Sequence, residues 1–127
     1  MPNFVIQEHH ARRHHFDFRL EKDGVLKSWA VPKGVPTEPG IKRLAMQVDD
    51  HDLEYGAFEG EIPEGQYGAG TVTIWDKGQY EADEWSDKVI GFTLHGTRLV
   101  GRYALVRFSK GKATEWLLFK RSQARTA

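Results

Sequence analysis

The sequence predicts an all-β protein, a small single-domain β-barrel of about eight strands with little helix. Three observations lead there. Apolar residues recur with a period of two over short runs. Turn signals are dense, with 13 Gly and 5 Pro in 127 residues, and they fall between those runs. No window of twelve or more residues sustains the 3.6-residue apolar repeat of a helix.

The elements follow in order. Strands are expected over 4–7, 14–20, 25–31, 41–48, 57–62, 71–75, 89–95, 99–108 and 114–120. Asp23-Gly24 is a tight hairpin signal between two of them. The stretch 32–40 carries three prolines and two glycines and reads as a loop. Asp76-Lys77-Gly78 and Lys110-Gly111 read as turns, and 85–89 as one helical turn at most. The glycines at 60, 65, 68 and 70, with Pro63, suit a barrel-corner loop rather than a phosphate cradle. A cradle would open a helix, and Glu59, Glu61 and Glu64 would repel a phosphate. The domain spans 1–127, with a polar, frayed tail over 122–127.

Composition narrows the class. Hydrophobic residues at 39% and charged residues at 28% are a folded balance. No apolar run is long enough for a membrane helix, and no signal peptide opens the chain. A cytoplasmic location is expected. With no cysteine, disulfide scaffolds, thiolate zinc sites and cysteine nucleophiles are excluded. The zero net charge hides a segregation: +3 over 1–43, −11 over 44–87 and +8 over 88–127. Either these segments interleave and neutralise one another, or they leave one positive face for a polyanion.

Four of the six histidines lie between His9 and His15. From His14 onward, Phe16, Phe18 and Leu20 face a core, while His15, Asp17 and Arg19 face the other way. Neighbours on one face are roughly 6–7 Å apart. His15 and Asp17 can therefore converge on one ion, and Arg19 can bind an anion held by it. His9 would lie roughly 20 Å away on a continuous strand, so its joining them requires a turn between His10 and His14. Exposed Arg12 and Arg13 suit that turn. His10 and His14 are taken as bystanders. Imidazole plus carboxylate suits Mn, Fe or Zn with open positions. In Asp49-Asp50-His51-Asp52, an acidic run surrounds His51 and is expected to raise its proton affinity. A protonated histidine is a phosphate ligand or general acid. Tyr55 follows four residues on, and Lys33 and Arg43 flank the proline loop.

Gln7-x-His9, His15-x-Asp17-x-Arg19, the run 26–34 (Leu-Lys-Ser-Trp-Ala-Val-Pro-Lys-Gly), His51-x-x-x-Tyr55, the Gly-rich run 58–72 and Trp75-Asp76 together resemble the 3′-phosphoesterase domain of DNA ligase D. The resemblance runs from about Phe4 to Lys120 and is closest to free-standing archaeal and bacterial versions. It implies a small β-barrel that trims 3′ ends of DNA and RNA with Mn²⁺ or another divalent transition metal. It removes a terminal 3′-ribonucleoside and then a 3′-phosphate. It further implies His9, His15 and Asp17 as metal ligands and Arg19 and His51 as phosphate ligands. Gln7, Lys33, Arg43 and Tyr55 are implied as supporting residues. The partners implied are a nucleic acid with a 3′-ribonucleotide or 3′-phosphate end, and a separate DNA ligase and polymerase. Ligase D domains carry an extension ahead of this first strand, and only six residues precede Gln7 here. The balance of diesterase and monoesterase activity is where this departure would tell.

Two rivals stand beside this reading. His15-x-Asp17 with distant His51 also matches the facial triad of a non-haem iron oxygenase or cupin-like metalloenzyme, although that leaves Arg19 unexplained. A non-catalytic nucleic-acid-binding β-barrel would use the four tryptophans to stack bases.

Overall fold

A computed structural model describes residues 1–108 and 110–122. Nine strands are formed among them: β1 (Asn3–His10), β2 (His15–Lys22), β3 (Val25–Val31), β4 (Lys42–His51), β5 (Gly60–Ile62), β6 (Gly70–Trp85), β7 (Val89–His95), β8 (Val100–Arg107) and β9 (Glu115–Lys120). The sheet order is β1-β2-β3-β4-β9-β8-β7-β6, and β6 returns to pair with β1. Eight antiparallel strands thus close a barrel and leave no free edge on the ring. The short β5 is added outside it, against the start of β6. The all-β barrel expected from the period-two pattern is what forms.

Alternation sorts each strand into an inner and an outer face. Phe18 and Leu20 on β2 and Trp29 and Val31 on β3 point into the barrel and are fully buried. They join Phe92, Leu94, Tyr103, Leu105 and Leu118 in one core. Asp17 and Arg19 alternate with the inward residues and lie on the outer face, opposite Ala30 and Ser28 of β3. That outer face is not bare. A 3₁₀ helix, Leu53–Ala57, lies over it, and Gly56 comes into contact range of Leu26 and Val5. Polar residues of the outer face are thereby buried outside the barrel's own core.

Several elements differ from expectation. The stretch 57–62 is not one strand: the 3₁₀ helix runs to Ala57, and only Gly60–Ile62 is extended. The segment 71–75 is part of a 16-residue strand, so Asp76-Lys77-Gly78 is not a turn. The reason is visible in the packing. The Asp76 carboxylate accepts the backbone N–H groups of Lys77, Thr97, Arg98 and Leu99, so it holds the β7–β8 turn from within β6. A side chain at Gly78 would collide with the His95 carbonyl, at 2.1 Å from a Cβ, so glycine here serves close approach. Residues 85–89 form a turn rather than helix, with Ser86 bonded to Val89. β4 extends through Asp49 and Asp50 to His51. Of the tail expected over 122–127, residues 123–127 lie outside the described residues.

Candidate active site

The β1–β2 hairpin builds the centre of the site. The chain turns between His10 and His15, and His9 pairs directly with His15 across the hairpin. This is the turn that His9 required. His9, His15 and Asp17 now offer donor atoms within 4.8 Å of one another. His15 Nε2 lies 3.3 Å and His9 Nδ1 3.8 Å from Asp17 Oδ2. Metal–ligand bonds of about 2 Å place neighbouring donors roughly 3–4 Å apart, so these separations suit a shared ion.

The second nitrogen of each ring is committed. The carbonyl of Gly68 is 2.8 Å from His9 Nε2, and that of Arg13 is 2.9 Å from His15 Nδ1. A carbonyl only accepts, so each of these nitrogens carries the proton. The bonds to these carbonyls fix each ring's orientation, with its other nitrogen, His9 Nδ1 or His15 Nε2, turned towards Asp17 and available to a cation on loss of any proton it carries. The donor set and its supporting bonds fit a divalent cation.

Arg19 lies beside the trio, 3% exposed, with Nη2 3.7 Å from Asp17 Oδ2. Its Nε donates to Gln7 Oε1 and its Nη1 to Ser28 Oγ, each at 2.7 Å. Gln7, fully buried, donates in turn to the carbonyls of Tyr55 and Phe58. The Tyr55 ring covers the guanidinium at 4.9 Å, and His51 stacks on Tyr55 at 4.5 Å. The 3₁₀ helix is therefore a lid on the arginine. Gln7, Arg19, His51 and Tyr55 are brought together with the His/Asp trio.

An open cleft of about 720 Å³ exposes this assembly. It is lined by His9, His15, Asp17, Arg19, His51 and Tyr55, and rimmed by Tyr67, which is fully exposed. Lys33 and Arg43 do not line it. Arg43 donates to the carbonyls of Lys33 and Gly34, so it secures the turn after β3, and Lys33 is exposed there.

Protonation follows from these neighbours. Burial acts to raise the Asp17 carboxyl, but the His15 hydrogen bond and the Arg19 charge outweigh it and hold Asp17 below its usual range. The same hydrogen bond lifts His15 against the opposing effect of burial. Burial pushes the Tyr55 phenol up. His51 corrects an expectation: burial and then the Arg19 charge push its proton affinity down, and the acidic neighbours do not reverse this. Arg19 is remote in sequence from the run 49–52, so that run alone does not reveal the opposing charge.

Sequence reasoning missed four contributors. Ser28 was findable, since it alternates with Trp29 and pairs with Arg19 across the sheet. The carbonyls of Gly68 and Arg13 have no sequence signal. Tyr67 is marked only by its position in the Gly-rich loop.

A His/His/Asp cluster joined to a buried arginine, in a cleft on the wall of a closed barrel, is equipment for acting on a phosphate ester. Comparison with known proteins gives the same class, a phosphoesterase. The family model of the DNA Ligase D 3′-phosphoesterase domain matches residues 7–107, and the chain belongs to this family. Among its relatives is the multifunctional non-homologous end joining protein LigD of Mycobacterium bovis, 58% identical over 109 residues. That alignment covers 82% of this chain and 14% of the relative. LigD of Pseudomonas aeruginosa is 50% identical over 123 residues, covering 92% of this chain and 15% of the relative. LigD of Mycolicibacterium smegmatis is 48% identical over 135 residues, covering 98% and 17%. The chain thus spans about one sixth of these relatives. Among the described residues no helix is long and apolar enough to cross a membrane.

Proposed function

We propose that this chain heals 3′ ends of DNA or RNA, removing a terminal 3′-ribonucleoside and then the 3′-phosphate, with Mn²⁺ as the metal. The observation that carries the reading is the meeting of His9, His15 and Asp17 with buried Arg19 at one carboxylate oxygen. An oxygenase reading leaves that arginine without a task, and a purely binding barrel leaves the oriented histidines without one.

His9, His15 and Asp17 would hold the divalent ion, which would supply Lewis acidity to the phosphate. Arg19 engages the same phosphate. Its Nε and one Nη1 hydrogen are committed to Gln7 and Ser28, which leaves Nη2 to meet the anion. Because the guanidinium is already oriented, little ordering is required when phosphate arrives, and charge developing on its oxygens is met by a fixed donor. His51, its proton affinity lowered by burial and by Arg19, donates a ring N–H to the phosphate or to the departing oxygen. That oxygen is the 5′ oxygen of the terminal ribonucleoside in the first step and the 3′ oxygen in the second, with water as the attacking group in both. Tyr55 and Gln7 position these groups. Exposed Lys33 meets nucleic-acid backbone beyond the cleft, and Arg43 holds its turn. The relatives' role in end joining supports work beside a separate ligase and polymerase.

The test is a 5′-labelled primer annealed to a template, ending in one or two ribonucleotides or a 3′-phosphate. It is incubated with and without Mn²⁺, using His15→Ala as control. Shortening or dephosphorylation that needs metal and is lost in the variant is expected. No metal-dependent change on either substrate would overturn the reading.

A further inference from the structure

The β1–β2 hairpin carries a second donor set on its other side. Glu8, His10 and His14 are each offset by one residue from His9 and His15, so alternation turns them to the opposite face. Their donor atoms also lie within 4.8 Å of one another. Glu8 Oε2 is 2.7 Å from His14 Nε2 and 3.5 Å from His10 Nε2. The two imidazoles are stacked, with centroids 4.6 Å apart and planes 11° from parallel. A single Glu–His hydrogen bond needs only one ring. Here two near-parallel rings present Nε2 to one carboxylate oxygen; the 2.7 Å Glu8–His14 contact is a hydrogen bond without an ion, and a shared cation requires it to open to the roughly 3–4 Å that His10 already has.

We propose that Glu8, His10 and His14 form a second divalent-metal site, separate from the catalytic cleft. None of the three lines that cleft. Two imidazoles and a carboxylate favour the zinc, nickel and copper class over magnesium or calcium. The imidazoles are about half exposed, so an ion enters from solvent and keeps water in its remaining positions. The inference does not depend on the proposed catalytic activity.

Zn²⁺ is the probe, titrated into the full chain free of any polyhistidine tag and followed by calorimetry and by equilibrium dialysis with metal analysis. The wild type is expected to bind two ions. His10→Ala/His14→Ala should bind one, with its far-ultraviolet circular dichroism unchanged because both side chains are at the surface. Asp17→Asn should retain the outer ion, with the affinity at that site changed less than about threefold. The proposal is overturned if the double variant binds as many ions as the wild type. It is equally overturned if the wild type binds one ion that survives loss of His10 and His14. If Asp17→Asn does not fold, the wild type against the double variant still decides.

Discussion

Arg19 is a charge that the fold has already taken out of water, and its neighbours show at what cost and for what use. Desolvation lowers its hold on its proton while Asp17 and Tyr55 oppose that loss. Gln7 and Ser28 accept its hydrogen bonds. Arg19→Lys keeps the charge but cannot serve Gln7, Ser28 and a phosphate from one point donor. We expect kcat on a 3′-phosphate primer to fall by about 100-fold, the range for losing one oriented donor. Unchanged turnover would remove Arg19 from the reaction. Gln7→Leu removes the acceptor facing Arg19 Nε, the bond to Tyr55 in the 3₁₀ helix and the bond to Phe58 just after it. Hydrogen bonds to charged groups are worth about 1.5–3 kcal/mol, and a loss of that size should appear in urea unfolding. At this scale the sequence was informative where chemistry sits in side chains. His15, Asp17 and Arg19 were legible from alternation alone. The carbonyls that orient the rings were not, because every residue has one. The state of His51 was misjudged because its decisive neighbour is remote in sequence.

At the scale of elements, the hairpin 3–22 depends on how closely β6 approaches its turn. Gly70 opens β6 with φ of 130°, and a Cβ there would sit 2.3 Å from the His10 carbonyl and 2.9 Å from Ala11 Cα. Both obstacles are backbone, so neither can swing aside. Gly70→Ala should therefore push β6 from the hairpin tip, with about 1–3 kcal/mol of strain. The movement also reaches Gly68, whose carbonyl orients His9. Calorimetric Mn²⁺ affinity should fall together with stability. An alanine variant that binds Mn²⁺ and unfolds like the wild type would show that the approach is not tight. Most strands were legible because one face of each is apolar. β6 was not legible beyond Trp75, because its continuation Asp76–Gln79 is polar. It is held by the Asp76 carboxylate and by pairing to β1, which are long-range facts. The 3₁₀ helix escaped notice for a related reason: five residues with no buried member have no periodicity to read.

Across the whole molecule the charge segregation resolves by topology. The acidic end of β4, with Asp49 and Asp50, runs beside β3, and acidic β6 lies between β1 and β7. Lys27–Asp50, His95–Glu81 and Arg102–Asp83 pair across strands. By strand order the +3, −11 and +8 segments interleave around the barrel. Closure also buries two tyrosines whose hydroxyls hold chain segments together. Tyr103 OH donates to the Pro36 carbonyl at 2.8 Å, tying the proline loop to the barrel, and Tyr80 OH donates to Glu21. Burial pushes both phenols up to about 12 from an ordinary value of 10. A group whose folded value is raised stabilises the fold fully below its unfolded value and loses that contribution as pH rises through the folded one. Stability should therefore hold to about pH 10 and decline from there towards 12. Urea midpoints at pH 8, 10 and 11.5 would trace this. Tyr103→Phe should cost about 1 kcal/mol at pH 8 for the lost hydrogen bond. It should also decline less steeply above pH 10, because one of the two linked protons is gone. Equal slopes in variant and wild type would show that Tyr103 ionises as easily folded as unfolded, and that its bond to Pro36 does not hold the loop.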